Sequence, residues 1–547
     1  MSPATASQPA LWDAIARPKA SSLHCFVDER FETTAWSEVI ADAERVAAGL
    51  RRAGVREGDR VATVLTNTPA AVRGLLGTWF AGAAVASLPV PARGMGLDEY
   101  GEHLGHLCAH VDSPFFVTDE RLMSVLPELA GVPTRTWESL SGAGRLEAAP
   151  PPDDELAFIQ YSSGSTSMPK GCMLTGRAIA RQMEILGRMA NVEPGAETVA
   201  SWLPLSHDMG TFGCLVFPLF WDFDLALSSP ERFMRSPRTW FGDCADFGAT
   251  LTAGPNSGVH FAARMQGRAR LDRELRLKVC VVGAERIEWS ALEAAAKVFG
   301  PYGFERKVFL PAYGLAEATL VVSSIGVEDE PSAVHLDTLA LADGEIAEVP
   351  AGSGTATPMV SVGRACNGVE VRLGEPGRLS EIHLRSPSLA SGYYADPERT
   401  SERFRDGEFS TGDLGFERDG ELYIVGRSDD LLSVAGRNVY ARELEAEVER
   451  FESVRSGCCT IVDVPADRET RLVMLIEPKD GFEGYEDVAG AAARAATAKA
   501  GVTIHECLFL PKGTLPKTPS GKIQRFRCRQ LLAGDRFEPI ERVELSA

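Results

Sequence analysis

Apolar and polar positions alternate along this chain with two periods, and the periods take turns. From Trp36, the run Ser37-Glu38-Val39-Ile40 through Arg52 repeats its apolar residues with helical spacing and predicts an amphipathic helix, with Ser37 as its cap. Gly58-Asp59 then turns the chain into the β-rich run Val61 to Leu65. A further helix, an apolar run to Val90 and a strand over Phe115-Phe116-Val117-Thr118 continue the pattern. Helix and strand in alternation predict an α/β architecture with parallel sheets. The segment Gly74 to Val90 is apolar enough to resemble a membrane span, yet it holds three glycines and meets Pro89 and Pro91. It is also shorter than the roughly 20 residues a span requires, so it predicts a buried helix followed by a strand. Two stretches lack periodicity: Ser141 to Asp154, a connection, and Glu328 to Pro358, an irregular region whose Gly352-Ser353-Gly354-Thr355 is read as a flexible turn.

At 547 residues the chain exceeds what one hydrophobic core organises, so at least two domains are expected. A net charge of −20 argues against nucleic acid or an anionic membrane as the main partner. Eleven cysteines without a Cys-x-x-Cys pair, and a start Met1-Ser2-Pro3-Ala4 unlike a signal peptide, point to a reducing cytoplasm. His103, His106 and His110 share one possible helix face; a partly exposed amphipathic helix is the ordinary reading and a zinc site the other.

The chemistry centres on Ser162-Ser163-Gly164-Ser165-Thr166-Ser167-Met168-Pro169-Lys170-Gly171, which follows the apolar run Leu156 to Tyr161. A strand entering a loop of hydroxyls and free backbone N–H groups suits a polyphosphate, and Lys170 adds a point charge. No Gly-Lys-Ser/Thr occurs there, which excludes the common nucleotide loop. His207 and Asp208 stand just after an apolar run; alone, His207 is more often a structural hydrogen-bonder. The small residues Gly254-Pro255-Asn256-Ser257 would let a long apolar ligand pass close to the backbone. A buried strand ends in Gly283-Ala284-Glu285, the strand end at which parallel sheets present ligands. In Tyr313-Gly314-Leu315-Ala316-Glu317-Ala318-Thr319, the tyrosine could stack on a purine, Glu317 could hold magnesium and Thr319 a phosphate oxygen. Asp413, in a tight turn of Ser410 to Gly415, suits a pair of ribose hydroxyls. Lys517 and Lys522 lie on a loop stiffened by Pro516 and Pro519, where lysines are more often solvated charges.

Together, in this order, these segments resemble the adenylate-forming superfamily, and the Leu203-Pro204 to His207-Asp208-Met209-Gly210 stretch resembles its fatty acyl-AMP ligase branch. Ser167 and Ser386 stand where that family usually has glycine. The resemblance implies an adenylation domain over 1–428 with parallel-rich sheets and a β-barrel-like subdomain. It also implies a small mobile α+β domain over 429–547, hinged at Asp429. It assigns Ser162, Ser163, Gly164, Ser165, Thr166, Lys170, Gly283, Ala284, Glu285, Tyr313, Gly314, Thr319, Asp413 and Arg427 to ATP and AMP, with the Ser162 to Lys170 loop and Thr319 on phosphates, Gly283 to Glu285 against the adenine, Asp413 on the ribose and Arg427 on ribose or phosphate. Thr166 and Glu317 would serve Mg2+. His207, Gly210, Gly254, Asn256, Ser257 and Gly314 would face the acid, His207 helping to hold its carboxylate, and Lys522 would reach the α-phosphate. The implied reaction is ATP-dependent formation of an acyl-AMP from an apolar acid, fatty or polyketide- or terpenoid-like. The roughly fifty residues between Tyr313 and Gly363 are similar to the insertion by which the acyl-AMP ligases hinder the rotation that admits CoA. Delivery to a carrier-protein thiol or a separate transferase is therefore expected, with a complete acyl-CoA synthetase or a non-adenylating nucleotide-binding homologue as alternatives.

Overall fold

A computed structural model describes residues 10–91, 95–142, 144–161, 170–267, 270–428, 431–434, 437–465, 470–500, 502–517 and 523–545. The first predicted helix runs Trp36–Arg52 and buries Trp36, Val39, Ala43, Val46, Ala47 and Leu50 on one face. Ser37 does not cap it; the cap position is Ala35, which makes no side-chain bond. The start is fixed instead by the Trp36 indole, which donates to the Phe223 carbonyl at 3.0 Å from a fully buried site. The apolar segment that mimics a membrane span becomes the helix Pro69–Phe80 and the strand Ala84–Ser87. Thr68 caps that helix and Pro69 opens it, where its missing N–H costs nothing.

Among the described residues, three sheets build the larger part. The first orders Thr134–Thr136, Phe116–Thr118, Arg60–Thr63, Ala84–Ser87, Leu156–Tyr161 and Gly171–Thr175, parallel except for the last pair. The second has nine strands, of which Phe309–Gly314, Val279–Gly283, Leu251–Pro255, Thr198–Ser201, Asp224–Leu227 and Ser22–Val27 run parallel and adjacent. Their near-continuous apolar text is what a sheet covered on both faces requires. The third is antiparallel, with Glu408–Arg418 paired to Ser380–Arg385, Phe404–Arg405 and Glu421–Arg427. The α/β reading and the barrel-like subdomain both stand.

The stretch read as irregular, 328–358, is ordered by tertiary packing. Strands Ala333–Asp337 and Ala356–Val360 pair antiparallel around the helix Thr338–Ala342. Leu336, Leu341 and Met359 close an apolar cluster with Phe416, Tyr423 and Val425 of the third sheet. Asp337 caps the helix and accepts the Thr355 hydroxyl at 2.8 Å, so the Ser-Gly-Thr turn is tied down. Three to five apolar anchors spread over so many residues leave too faint a period to read in sequence.

Beyond residue 431, strands Val454–Pro465, Thr470–Pro478, Glu506–Phe509 and Glu541–Glu544 carry the helices Ala441–Glu449, Tyr485–Ala500 and Arg525–Ala533. They bury their own clusters around Leu444, Ile461, Leu472, Ile476 and Phe509, and around Val473, Leu508, Leu515 and Cys528. Arg442 reaches Glu288 at 3.0 Å and Arg527 reaches Glu99 at 2.8 Å, joining this part to the rest. The helix Leu97–His110 carries His103, His106 and His110; no group of three metal-ligating side chains exists among the described residues. No described helix is long and apolar enough to cross a membrane, and all eleven cysteines are free thiols.

Candidate active site

The strand Leu156–Tyr161 delivers the chain to the Ser/Thr/Gly loop, whose Ser162, Ser163, Gly164, Ser165 and Thr166 lie outside the described residues, as do Asp429 and Lys522. Gln160, one residue before that strand's end, donates to the Ser206 carbonyl at 3.1 Å and ties the loop's root to the His207 segment. Lys170 stands where the chain returns, its ammonium 5.8 Å above the Tyr393 ring. Burial lowers the Lys170 pKa; the Glu317 carboxylate opposes that, while Arg427, Arg399 and Arg403 reinforce it. Lys170 and Glu317 thus meet the same side chain, Lys170 over the Tyr393 ring and Glu317 at its phenol.

The strand Phe309–Gly314 breaks register between Tyr313 and Gly314 and passes into the short turn Ala316–Ala318. Gly314 is required by its neighbour: a Cβ there would lie 1.9 Å from the Leu320 carbonyl oxygen. Tyr313, at this bulge, and Arg427, on the third sheet, meet one carboxylate. Tyr313 donates its phenol to Asp413 Oδ2 at 2.5 Å, and Arg427 Nε meets Asp413 Oδ1 at 3.1 Å. Burial, and then the Asp413 charge, push the Tyr313 phenol well above its usual range, so it remains a donor. Asp413 and Arg427 face each other in strand register, which is why residues fourteen apart in sequence form a pair. Asp413 is thus in the long strand Glu408–Arg418 and not in the tight turn expected, with Gly412 at φ +74° supplying the local bend. Glu317, 9 % exposed, accepts the Tyr393 phenol on Oε1 at 2.8 Å.

Thr319 departs from expectation. It is fully buried at φ +68°, and its hydroxyl donates to the Ser388 carbonyl at 2.7 Å. A hydroxyl without solvent access and committed to the protein wall does not reach a phosphate; Thr319 braces the Glu317 turn.

At the end of the strand Val279–Gly283, Gly283 lies against the next strand, 2.9 Å from its Cβ position to the Ala312 carbonyl oxygen, and Ala284 turns the chain at φ +65°. The Glu285 carboxylate accepts the Ser257 N–H at the start of the helix Asn256–Gln266, where the helix dipole favours an anion. Asn256 Oδ1 accepts the Glu288 N–H at 3.0 Å. Glu285, Asn256 and Ser257 thus lock two strand-end loops together.

His207 Nδ1 lies 2.5 Å from Asp208 Oδ1, and Asp208 also accepts the Met209 N–H at 2.7 Å. The following turn, Met209–Val216, is a π-helix, a wide coil common at functional sites. Gly210 sits at its start because a Cβ would fall 2.1 Å from the Pro204 carbonyl oxygen.

Gly254 is also reassigned. Its Cβ position is 2.3 Å from the Trp240 indole, and that of Gly258 is 3.0 Å from the Trp202 indole. The small residues make room for buried tryptophans, with Trp202 stacked on Phe233 at 3.6 Å, and not for an acyl chain. Gly254→Ala is expected to lower stability by about 1–3 kcal/mol through overpacking, read as a fall in the thermal midpoint, with chain-length preference among acids unchanged. A shortened chain preference at unchanged stability would restore the tunnel reading.

Sequence reasoning missed Tyr393, the π-helix and the nearby Arg399 and Arg403. Gly392 at φ +142° before Tyr393-Tyr394 signals a turn, but no spacing connects Tyr393 to Glu317. The donor chemistry fits Mg2+ carried by a nucleotide: one nearly buried hard carboxylate, to be completed by phosphate oxygens, and no three-ligand protein cage among the described residues.

Residues 12–394 match the family model described as AMP-binding enzyme. The chain is 29% identical over 91% of its length to the putative fatty-acid–CoA ligase FadD21 of Mycobacterium tuberculosis, covering 91% of that protein. It is 33% identical over 69% of its length to the medium-chain-fatty-acid–[acyl-carrier-protein] ligase JamA of Moorena producens, covering 67% of that protein. Among solved structures, a fatty acyl-adenylate ligase from a study of the Escherichia coli and Legionella pneumophila enzymes superimposes with a TM-score of 0.88 at 24% identity, over 98% of this chain and 99% of that one. With the family model spanning well over half its length, this chain belongs to the AMP-binding enzyme family.

Proposed function

We propose that this enzyme activates an apolar carboxylic acid. A carboxylate oxygen of the acid attacks the α-phosphorus of ATP, the bond from that phosphorus to the bridging oxygen breaks, and acyl-AMP and pyrophosphate leave. The observation that carries the reading is the Tyr313–Asp413–Arg427 set, at 2.5 and 3.1 Å, beside Glu317 and Lys170. Asp413 receives the ribose hydroxyls, Tyr313 and the Gly283-Ala284 turn bound the purine, and Arg427 lies over the ribose and α-phosphate. Lys170 and the Ser162 to Thr166 loop take the β- and γ-phosphates, and His207 holds the acid's carboxylate beside the Gly210 turn. Lys522 neutralises the charge that gathers between carboxylate and α-phosphate, the place where electrostatic help is largest. Mg2+, held by Glu317 with Thr166, would supply Lewis-acid withdrawal from the phosphates. Position and charge suffice, because the nucleophile is already an anion.

The division at 428, with 429–547 as a small domain turning about Asp429, is part of this proposal and is supported by the separate apolar clusters beyond Leu432. A cytoplasmic location is supported by the eleven free thiols. For the acceptor, we favour a carrier-protein thiol. The inserted helix Thr338–Ala342 packs against both the third sheet and the helix Tyr485–Ala500, so it hinders the particular rotation of the small domain that would admit CoA. The relative JamA is named as an acyl-carrier-protein ligase, which supports this choice. Pyrophosphate release with a panel of acids tests the first step: release with medium- or long-chain acids is expected, and none with any acid would leave a binding protein. Adding CoA or an acyl carrier protein tests the second; thioester should form on the carrier, and rapid acyl-CoA formation would overturn the choice.

A further inference from the structure

Tyr393 lies outside every motif named above, yet the chain around it is stitched to both sides of the phosphate region. Ala390 N–H donates to the Glu317 carbonyl at 2.7 Å, and the Ser388 hydroxyl donates to the Ala318 carbonyl at 3.1 Å. Met173 N–H donates to the Gly392 carbonyl at 2.9 Å, and Tyr394 N–H to the Gly171 carbonyl at 2.8 Å. Tyr393 is therefore clamped between the Glu317 turn and the strand that leads out of the phosphate loop. Its ring packs edge-on to Phe404 at 5.6 Å, and its own N–H is held by the Thr400 hydroxyl at 2.9 Å. From this fixed base, the phenol O–H donates to Glu317 Oε1 at 2.8 Å, and the residue is 4 % exposed.

We propose that Tyr393 is the positioning residue of the metal carboxylate: its phenol pins Glu317 Oε1, so that Oε2 is presented to the Mg2+ of MgATP in one orientation. This rests on the reading of Glu317 as the magnesium ligand. The choice of partner has a physical reason. A buried carboxylate needs a donor, but an arginine or lysine bonded directly to it would cancel the charge the cation is to meet. A neutral phenol satisfies one oxygen and leaves the full negative charge in place. Partners of this kind fix ligand geometry, and their removal costs about 10–100-fold in metal affinity.

Tyr393→Phe keeps the ring, its packing on Phe404 and every backbone bond, and removes the O–H alone. At saturating ATP and acid, the Mg2+ concentration for half-maximal pyrophosphate release should rise about tenfold, while the rate at saturating Mg2+ stays close to that of the parent. A readout without turnover is Mn2+ binding, followed by electron paramagnetic resonance in the complex with a non-hydrolysable ATP analogue. It should weaken by about the same factor, whereas AMP affinity should not change. Normalising to AMP-competent protein keeps the measurement meaningful if part of a preparation misfolds. Unchanged Mn2+ affinity, with only a lower thermal midpoint, would make Tyr393 a packing residue and overturn the proposal. Glu317→Gln is the control for its foundation. Weak metal binding in Glu317→Gln beside normal binding in Tyr393→Phe rejects the role of Tyr393 alone. Normal binding in both rejects Glu317 as ligand and the proposal with it.

Discussion

Lys522→Ala is expected to lower the rate of acid-dependent pyrophosphate release by about 10²–10³-fold, the loss typical when one preorganised donor to a developing charge is removed. The same factor should appear in kcat and in kcat/KM, since the contact forms only as the carboxylate and the α-phosphate share negative charge. The fold should be unaffected, because another lysine roots the loop. Lys517, read from sequence as a solvated charge, is 4 % exposed; its ammonium donates to the Gly457 carbonyl at 2.5 Å and lies 3.0 Å from Cys458 Sγ. Lys517 and Ile523 pair across the base of the loop, Gln524 N–H donates to the Pro516 carbonyl at 2.9 Å, and Arg525 binds both oxygens of the buried Glu445 at 2.7 and 2.8 Å. Two neighbouring lysines thus predict opposite phenotypes. Lys517→Ala should lower the thermal midpoint by leaving buried acceptors without their cation, and Lys522→Ala should lower only the rate. Stopped-flow pyrophosphate detection beside a thermal melt separates them. Unaltered release by Lys522→Ala would remove that lysine from the mechanism.

The second large effect is on nucleotide binding. Asp413→Ala should raise the KM for ATP by about 100-fold, the cost of two charge-assisted hydrogen bonds to the ribose at roughly 1.5 kcal/mol or more each. Because the ribose is bound equally in ground and transition states, kcat should change much less. Asp413→Ala also frees Arg427 Nε and the Tyr313 phenol from the partner they now share at 3.1 and 2.5 Å. Arg427→Lys is the milder test of the same cluster: the point charge persists but the planar fork that meets Asp413 does not, so a smaller rise in KM is expected. Steady-state pyrophosphate release against ATP concentration reads both. An unchanged KM in Asp413→Ala would show that this carboxylate holds the strand pair together and nothing more.

What the chain could say about itself was carried by local text. Alternating apolar periods determined the α/β class, and the resolution of Gly74 to Val90 into a buried helix and a strand followed from its glycines and its length. Motif chemistry singled out Glu317 and Asp413, carboxylates beside glycine, and the family resemblance added Arg427; the structure brings Asp413 and Arg427 together.

Contacts between distant residues were decided elsewhere. Helix Trp36–Arg52 starts where the Trp36 indole finds Phe223, not at its serine, and 333–360 becomes ordered only because Phe416 and Tyr423 receive its apolar side chains. Thr319, Gly254 and Lys517 look from sequence like a phosphate ligand, a ligand passage and a solvated charge. Folding gives them to Ser388, Trp240 and Gly457, because a buried polar group must find a partner and a buried indole must find space. Tyr393 shows the same rule from the other side: its sequence neighbours gave no sign of chemistry, and its meeting with Glu317 exists only because strand Gly171–Thr175 and the Glu317 turn grip the same short segment. Local periodicity fixes which elements form; which side chains meet depends on how those elements pack, and packing is written in no single stretch of the chain.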